Sequence, residues 1–229
     1  MIRFLFATLC HNGRSHDKKI FFHRSLEGDH RIRRLERTAT ITHDGKARVN
    51  VTIQERRFSF NSEYNISAGG SHYYARTPFF SFANKLQLQG EDDRILAKIR
   101  SRFSWFRSKY DFELFDGRLY RFQCEKIWKG VFVCEGNEGY FRLYTHKGLN
   151  YSIFLNERQI AAFTRNSIVI GKGNRYDIRM NAGADVVIVL CMVLAVNTSK
   201  EGGDKATITF DFGNIGPEDR PFDKSWEPS

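Results

Sequence analysis

Lys98, Arg100 and Arg102 stand two apart in the segment ILAKIRSR, residues 95–102. In an extended strand alternate side chains share a face. The three cations therefore point one way, and Ala97, Ile99 and Phe103 the other. Arg107 and Lys109 follow within a turn, beside Trp105 and Phe106. Cations next to amphipathic rings suit an anionic lipid headgroup, a phosphorylated ligand or a nucleic-acid backbone. The solvated outer face of any strand carries the same residue types. What these five residues can do thus depends on the element that presents them.

Other residue types that could carry chemistry are present without the spacing that chemistry needs. Five of the seven histidines precede residue 44 (His11, His16, His23, His30 and His43), and no pair has HExxH or i,i+4 spacing. Gly171–Lys172–Gly173–Asn174 lacks the spacing of a phosphate loop and reads as a turn between strands. Glu91–Asp92–Asp93 and Asp116 fall at turns, where a short carboxylate side chain bonds its own backbone. Cys10, Cys124, Cys134 and Cys191 form no CxxC pair and no zinc spacing. A Cys124–Cys134 bridge needs their strands to pair, and two alternating strands place thiols there equally well. Sparse cysteine suits a reduced intracellular protein. No Ser/His/Asp or Cys/His order stands out. The expectation is a non-enzymatic chain without metal or cofactor.

The elements that must hold these residues are short strands. Proline is confined to Pro78, Pro217, Pro221 and Pro228, so residues 1–216 have a nearly unbroken supply of the N–H donors that ladders need. Thr38–Thr42 and Arg48–Ile53 flank His43–Asp44–Gly45, a hairpin signal because Asp-Gly supplies positive φ. Strand–turn–strand units then recur: 63–67 with 72–76, 85–89 with 95–102, 109–114 with 119–124, 131–134 with 140–144, and 152–155 with 159–163. Ser167–Ile170 and Tyr176–Met180 follow, and Ala206–Phe212 reads as one more strand. This spacing predicts an all-β sandwich or barrel.

One segment breaks the pattern. Val186–Val196, VVIVLCMVLAV, has no polar side chain over eleven positions. A bilayer-spanning helix needs about 20 apolar residues, so the run predicts no transmembrane segment. A segment apolar on every face must be buried on every face. Val186–Val189 favour a strand, Leu190–Ala195 tolerate a helix, and length favours the helix. Asn181 or Asp185 could cap its start.

Charge is uneven along the chain. The formal total is +10, with residues 1–57 carrying 13 Lys/Arg against 6 Asp/Glu and residues 200–229 carrying 4 against 7. The N-terminal segment is a basic arm able to attract polyanions, nucleic acid among them. The segment after Gly213 reads as an acidic, proline-bearing tail. Met1–Cys10 resembles a signal peptide only in Arg3 and a very short apolar stretch, without a cleavage site, so a first strand or frayed terminus is expected.

The order of these units is specific. LxLxxxDDRILAKI is followed by YDFELFDG, then NERQIAAFTR, then YDIRM, then the apolar run. In this order the chain resembles the LURP-one-related family of the Tubby C-terminal-like superfamily, which includes the phospholipid scramblases. The resemblance covers about residues 57–199, and Gln159–Arg165 and Tyr176–Val196 match best. It implies a mainly β fold: a closed antiparallel barrel of about twelve strands around a buried C-terminal helix, Ala184–Val196. Residues 1–56 are then a basic extension, and 200–229 an extra strand and tail. It also implies a binding module for an anionic ligand or membrane lipid headgroup, cytoplasmic and peripheral at membranes; the basic stripe Lys98, Arg100, Arg102, Arg107 and Lys109, read from its own alternation, supplies the candidates. The alternatives are nucleic-acid binding through residues 1–57 and scramblase-like lipid handling. Scramblase features are missing: there is no proline before Pro78, no cysteine cluster, and only Asp177 and Asp185 in 171–185, too few oxygen ligands for calcium.

Overall fold

The computed structural model describes residues 6–10, 18–24, 35–41, 47–57, 62–77, 85–104, 108–136, 138–167, 173–201 and 218–229. Fifteen strands lie within these residues: β1 (Phe6–Cys10), β2 (Lys18–Arg24), β3 (Leu35–Ile41), β4 (Ala47–Arg57), β5 (Ser62–Ala68), β6 (Ser71–Arg76), β7 (Lys85–Gly90), β8 (Ile95–Arg102), β9 (Lys109–Leu114), β10 (Leu119–Lys126), β11 (Val131–Gly136), β12 (Gly139–His146), β13 (Asn150–Leu155), β14 (Arg158–Ser167) and β15 (Asn174–Asn181). A 3-10 turn, Ile127–Lys129, joins β10 to β11, and one helix, α1 (Val186–Glu201), follows β15.

Strands β4 to β15 pair antiparallel with their neighbours in sequence, and β15 pairs back onto β4. The result is a closed barrel of twelve strands, which leaves no unpaired edge in the wall. The hairpins expected between residues 63 and 163 all form. β1, β2 and β3 extend the sheet from the start of β4, where Thr40 and Ile41 pair with Arg48 and Ala47. The boundary expected at residue 57 is corrected here. β4 is a stave of the barrel, because it bonds β15 through residues 48–54 along one edge and β5 through 51–57 along the other. Its alternation of buried Val49, Val51 and Ile53 matches that of the later strands. The turn 43–45, residues 168–170 and the strand expected at 206–212 lie outside the described residues.

The apolar run is the plug. Val186 and Ile188 to Val196 are 0–3% exposed, so the helix is enclosed on every side by inward strand residues such as Phe112, Phe122, Phe141 and Ile153. The helix starts two residues later than expected and runs on to Glu201. Asp185 is its cap: Oδ1 accepts from the Val187 amide at 2.9 Å. Asn181 instead donates to the Gln159 carbonyl. Beyond Val196 the helix continues because Asn197 has partners inside the barrel. Its Nδ2 donates to the Tyr64 hydroxyl at 2.8 Å, and its Oδ1 accepts from the Tyr176 hydroxyl. Burial holds the Tyr176 hydroxyl well above its ordinary pKa, with the charge of Glu55 adding to the effect.

Cys124, Cys134 and Cys191 are buried thiols that form no disulfide. β10 and β11 do pair, but Cys124 sits opposite Phe132 and Cys134 opposite Phe122, so the two thiols are offset along the ladder. Burial pushes the Cys134 thiol far up, which keeps it protonated.

Candidate functional site

The cations of β8 stand where alternation places them. Lys98, Arg100 and Arg102 leave the outer face with 39%, 49% and 51% of their side-chain surface exposed. Leu96, Ala97 and Ile99 are buried in the core. Phe103 departs from the expectation. The strand ends at Arg102, alternation no longer governs the next residue, and Phe103 is 84% exposed. Arg107, with Trp105 and Phe106, lies outside the described residues.

Neighbouring strands complete this face. Asp111 and Glu113 project outward from β9 between its buried residues. Lys98 pairs with Glu113 at 3.9 Å, Arg100 with Glu113 at 3.1 Å, and Arg102 with Asp111 at 3.5 Å. Such exposed pairs are each worth about 0–1 kcal/mol, so a stronger anion can exchange with them. Lys109 stands directly opposite Arg102, and Arg121 opposite Asp111. Leu119, on the same side of β10, is 63% exposed.

The outer face of β11–β14 is different. Val131, Tyr144 and Phe154 form a second apolar cluster, 1–9% exposed, separate from the barrel core. They point outward, since Tyr144 lies between the inward Leu143 and Thr145 and pairs with Val131 and Ser152. Residues 218–229 cover them. Arg220 lies 4.1 Å over the Phe154 ring and donates to Glu157 at 3.2 Å. Phe222 meets the His146 ring with centroids 5.0 Å apart. Asp219 takes Lys126 and Lys129 at 3.0 Å each, and Glu227 takes Arg179 at 3.0 Å. These two lysines hold the Asp219 carboxyl below the ordinary carboxylate range.

His146 is buried beneath this strap. Its Nε2 is 2.7 Å from the Ser152 hydroxyl, and Nδ1 faces Glu218 at 3.8 Å. Burial depresses its pKa below 6.5, and the charge of Glu218 offsets this in part. The ring is therefore neutral near pH 7.

At the end of the barrel where the helix begins, Arg118 joins three loops. Its guanidinium donates to Asp116 at 2.7 Å, to Asp185 at 2.8 Å and to Glu138. It thus ties the β9–β10 and β11–β12 turns to the helix cap. Burial opposes the guanidinium charge, but the hydrogen bond and charge of Asp185 outweigh it and hold the group firmly protonated. Burial pushes the adjoining Tyr120 hydroxyl up to about 12, although Arg118 pulls the other way. A cleft of about 330 Å³ opens beside this hub, lined by Glu138, Phe141, Arg158, Asn181, Asp185 and Ser229 among others. Its carboxylates Glu138 and Asp185 are already engaged by Arg118. Among the described residues no group of three His, Cys, Asp or Glu could hold a metal ion.

Sequence reasoning did not find the Arg118 hub or the strapped face. The signal for the first was Asp116–Gly117–Arg118 at a turn, together with an isolated Asp185 ahead of the apolar run. The signal for the second was continuous apolar character in Val131–Val133 and Ile153–Leu155, where an open outer face would alternate.

A closed antiparallel barrel of twelve strands around its own C-terminal helix is the Tubby-like architecture expected from the sequence. The chain belongs to the LURP-one-related family, whose model matches residues 49–197. A solved X-ray structure of an Arabidopsis thaliana protein is similar at 14% identity, covering 65% of this chain and 90% of that one with a TM-score of 0.46. No curated protein matches the chain. No helix among the described residues is long and apolar enough to cross a membrane.

Proposed function

We propose that the barrel is a non-enzymatic module that binds an anionic membrane headgroup on the outer face of β8–β10. Lys98, Arg100, Arg102 and Lys109 supply the charge, with Arg107 following in the same segment. The observation that carries this reading is the half-exposed cation ladder with Lys109 set opposite Arg102. The filled interior supports it, since residues 186–196 occupy the space that a ligand inside the barrel would need. Leu119 gives the same face an apolar side chain that can enter the headgroup boundary.

Flotation with vesicles tests the reading. Binding is expected to vesicles rich in anionic lipid, to weaken steeply with salt, and to be absent with neutral vesicles. Equal binding to both, or no binding to anionic vesicles at low salt, contradicts it. Binding to duplex nucleic acid that survives Arg100→Glu and Arg102→Glu would instead favour the basic segment 1–57.

A further inference from the structure

Residues 218–229, EDRPFDKSWEPS, carry four carboxylates and two cations. They lie across the outer face from the 3-10 turn to β15 and β4. Every carboxylate of this strap whose partner lies on the barrel meets a cation or a backbone donor: Glu218 accepts from the Lys147 amide at 2.8 Å, Asp219 from Lys126 and Lys129, and Glu227 from Arg179. Phe222 and Arg220 add ring contacts to His146, Tyr144 and Phe154. At the far end the Ser229 amide donates to Asn181 at 2.8 Å, beside the 330 Å³ cleft.

We propose that this face is a docking surface for acidic, aromatic-bearing peptide segments of partner proteins, and that residues 218–229 occupy it in cis. Three observations carry the inference. The face is cationic at both ends and apolar between, which is the inverse of the strap. The strap's ion pairs are surface pairs, each worth about 0–1 kcal/mol, so its hold is exchangeable. The fit in cis also leaves a donor over: Arg48 Nε is buried without a hydrogen-bond partner, and its Nη1 is 3.9 Å from Glu227. A more acidic segment could use that donor. The barrel closes through β4–β15 without the strap, so releasing it leaves the fold intact.

The test uses the full chain and a labelled synthetic peptide with the sequence of residues 218–229. Asp219→Lys with Glu227→Lys places like charges against Lys126, Lys129, Arg179 and Arg48 while leaving the docking face unaltered. Hydrogen exchange should show the Ser229 amide at least tenfold less protected in this variant. Fluorescence anisotropy should show the peptide binding it at least tenfold tighter than the unaltered chain. Adding Lys126→Glu and Arg179→Glu should remove that binding. Unchanged exchange at Ser229 overturns the proposal, since the strap is then fixed structure. Equal peptide binding by the two chains, no binding by either, or binding indifferent to Lys126→Glu and Arg179→Glu overturns it as well.

Discussion

On β8 the outward side chains Lys98, Arg100 and Arg102 are 39–51% exposed, whereas the outward Tyr144, Ser152 and Phe154 of β12 and β13 are 3–9% exposed beneath residues 218–229. Both sets sit on the same closed wall around the same helix. On β8 and β9 the outward positions Lys98, Arg100, Arg102, Lys109, Asp111 and Glu113 are charged and meet water. On β11–β13 Val131, Tyr144 and Phe154 cluster outward and are covered. The barrel fold is thus common ground, and what distinguishes its faces is written in the outward half of each strand. Binding chemistry should be sought on the open face directly, and on the other face through whatever displaces the strap.

Substitution inside the plug should erase the distinction by weakening both faces together. Leu190→Ala empties a site that is 0% exposed and should cost about 2–5 kcal/mol, read as a lower midpoint in urea unfolding. Gly130→Ala should act from the strapped side. Gly130 has φ +58, and an added Cβ would lie 1.7 Å from Thr145 Oγ1. A cost of roughly 1–3 kcal/mol is expected, with a loosened strap because Lys129 adjoins it. Arg118→Met should cost about 1–2 kcal/mol by leaving Asp185 and Asp116 without their shared donor. That cost is discounted for a guanidinium still 17% exposed, and the loss should appear at the barrel end without altering vesicle binding.

Acid should separate the faces further. The folded-state pKa of His146 lies below the ordinary 6.5, so the unfolded chain binds the proton first. Stability is unaffected above pH 6.5 and falls as the pH drops below it, until the folded ring also protonates. Asp219 acts lower: its folded pKa is below 3.8, so its contribution holds above 3.8 and is lost as pH falls through its folded value. Thermal melts between pH 7 and 5 should show the decline, and His146→Gln should flatten it. The smallest effect on stability belongs to the open face: Arg100→Glu should shift unfolding by no more than about 0.5 kcal/mol.

How far the sequence reached differed between these regions for a physical reason. The hairpins and the plug were legible because local signals set them: turn residues such as Asp116–Gly117, period-two alternation in KYDFEL, and eleven apolar positions in a row. β8's outward cations were legible by the same alternation. The barrel's true start was not, because β4 is recruited by pairing with β15, a partner more than a hundred residues away. The strap was not legible either. An acidic, proline-bearing segment looks alike whether it is solvated or docked, and its partners Lys126, Lys147 and Arg179 come from β10, the β12–β13 turn and β15. Arg118 was hidden for the same reason, since Glu138 and Asp185 reach it from distant parts of the chain and only Asp116 is local.

Two charge reversals measured side by side test the account most directly. Lys98→Glu with Arg100→Glu should abolish flotation with anionic vesicles while leaving the melting temperature and the exchange of the Ser229 amide unchanged. Lys126→Glu with Lys129→Glu should free the strap, seen as faster exchange at Ser229, while leaving vesicle binding intact. Vesicle binding that survives the first pair and is lost with the second would contradict the assignment of headgroup binding to the open face.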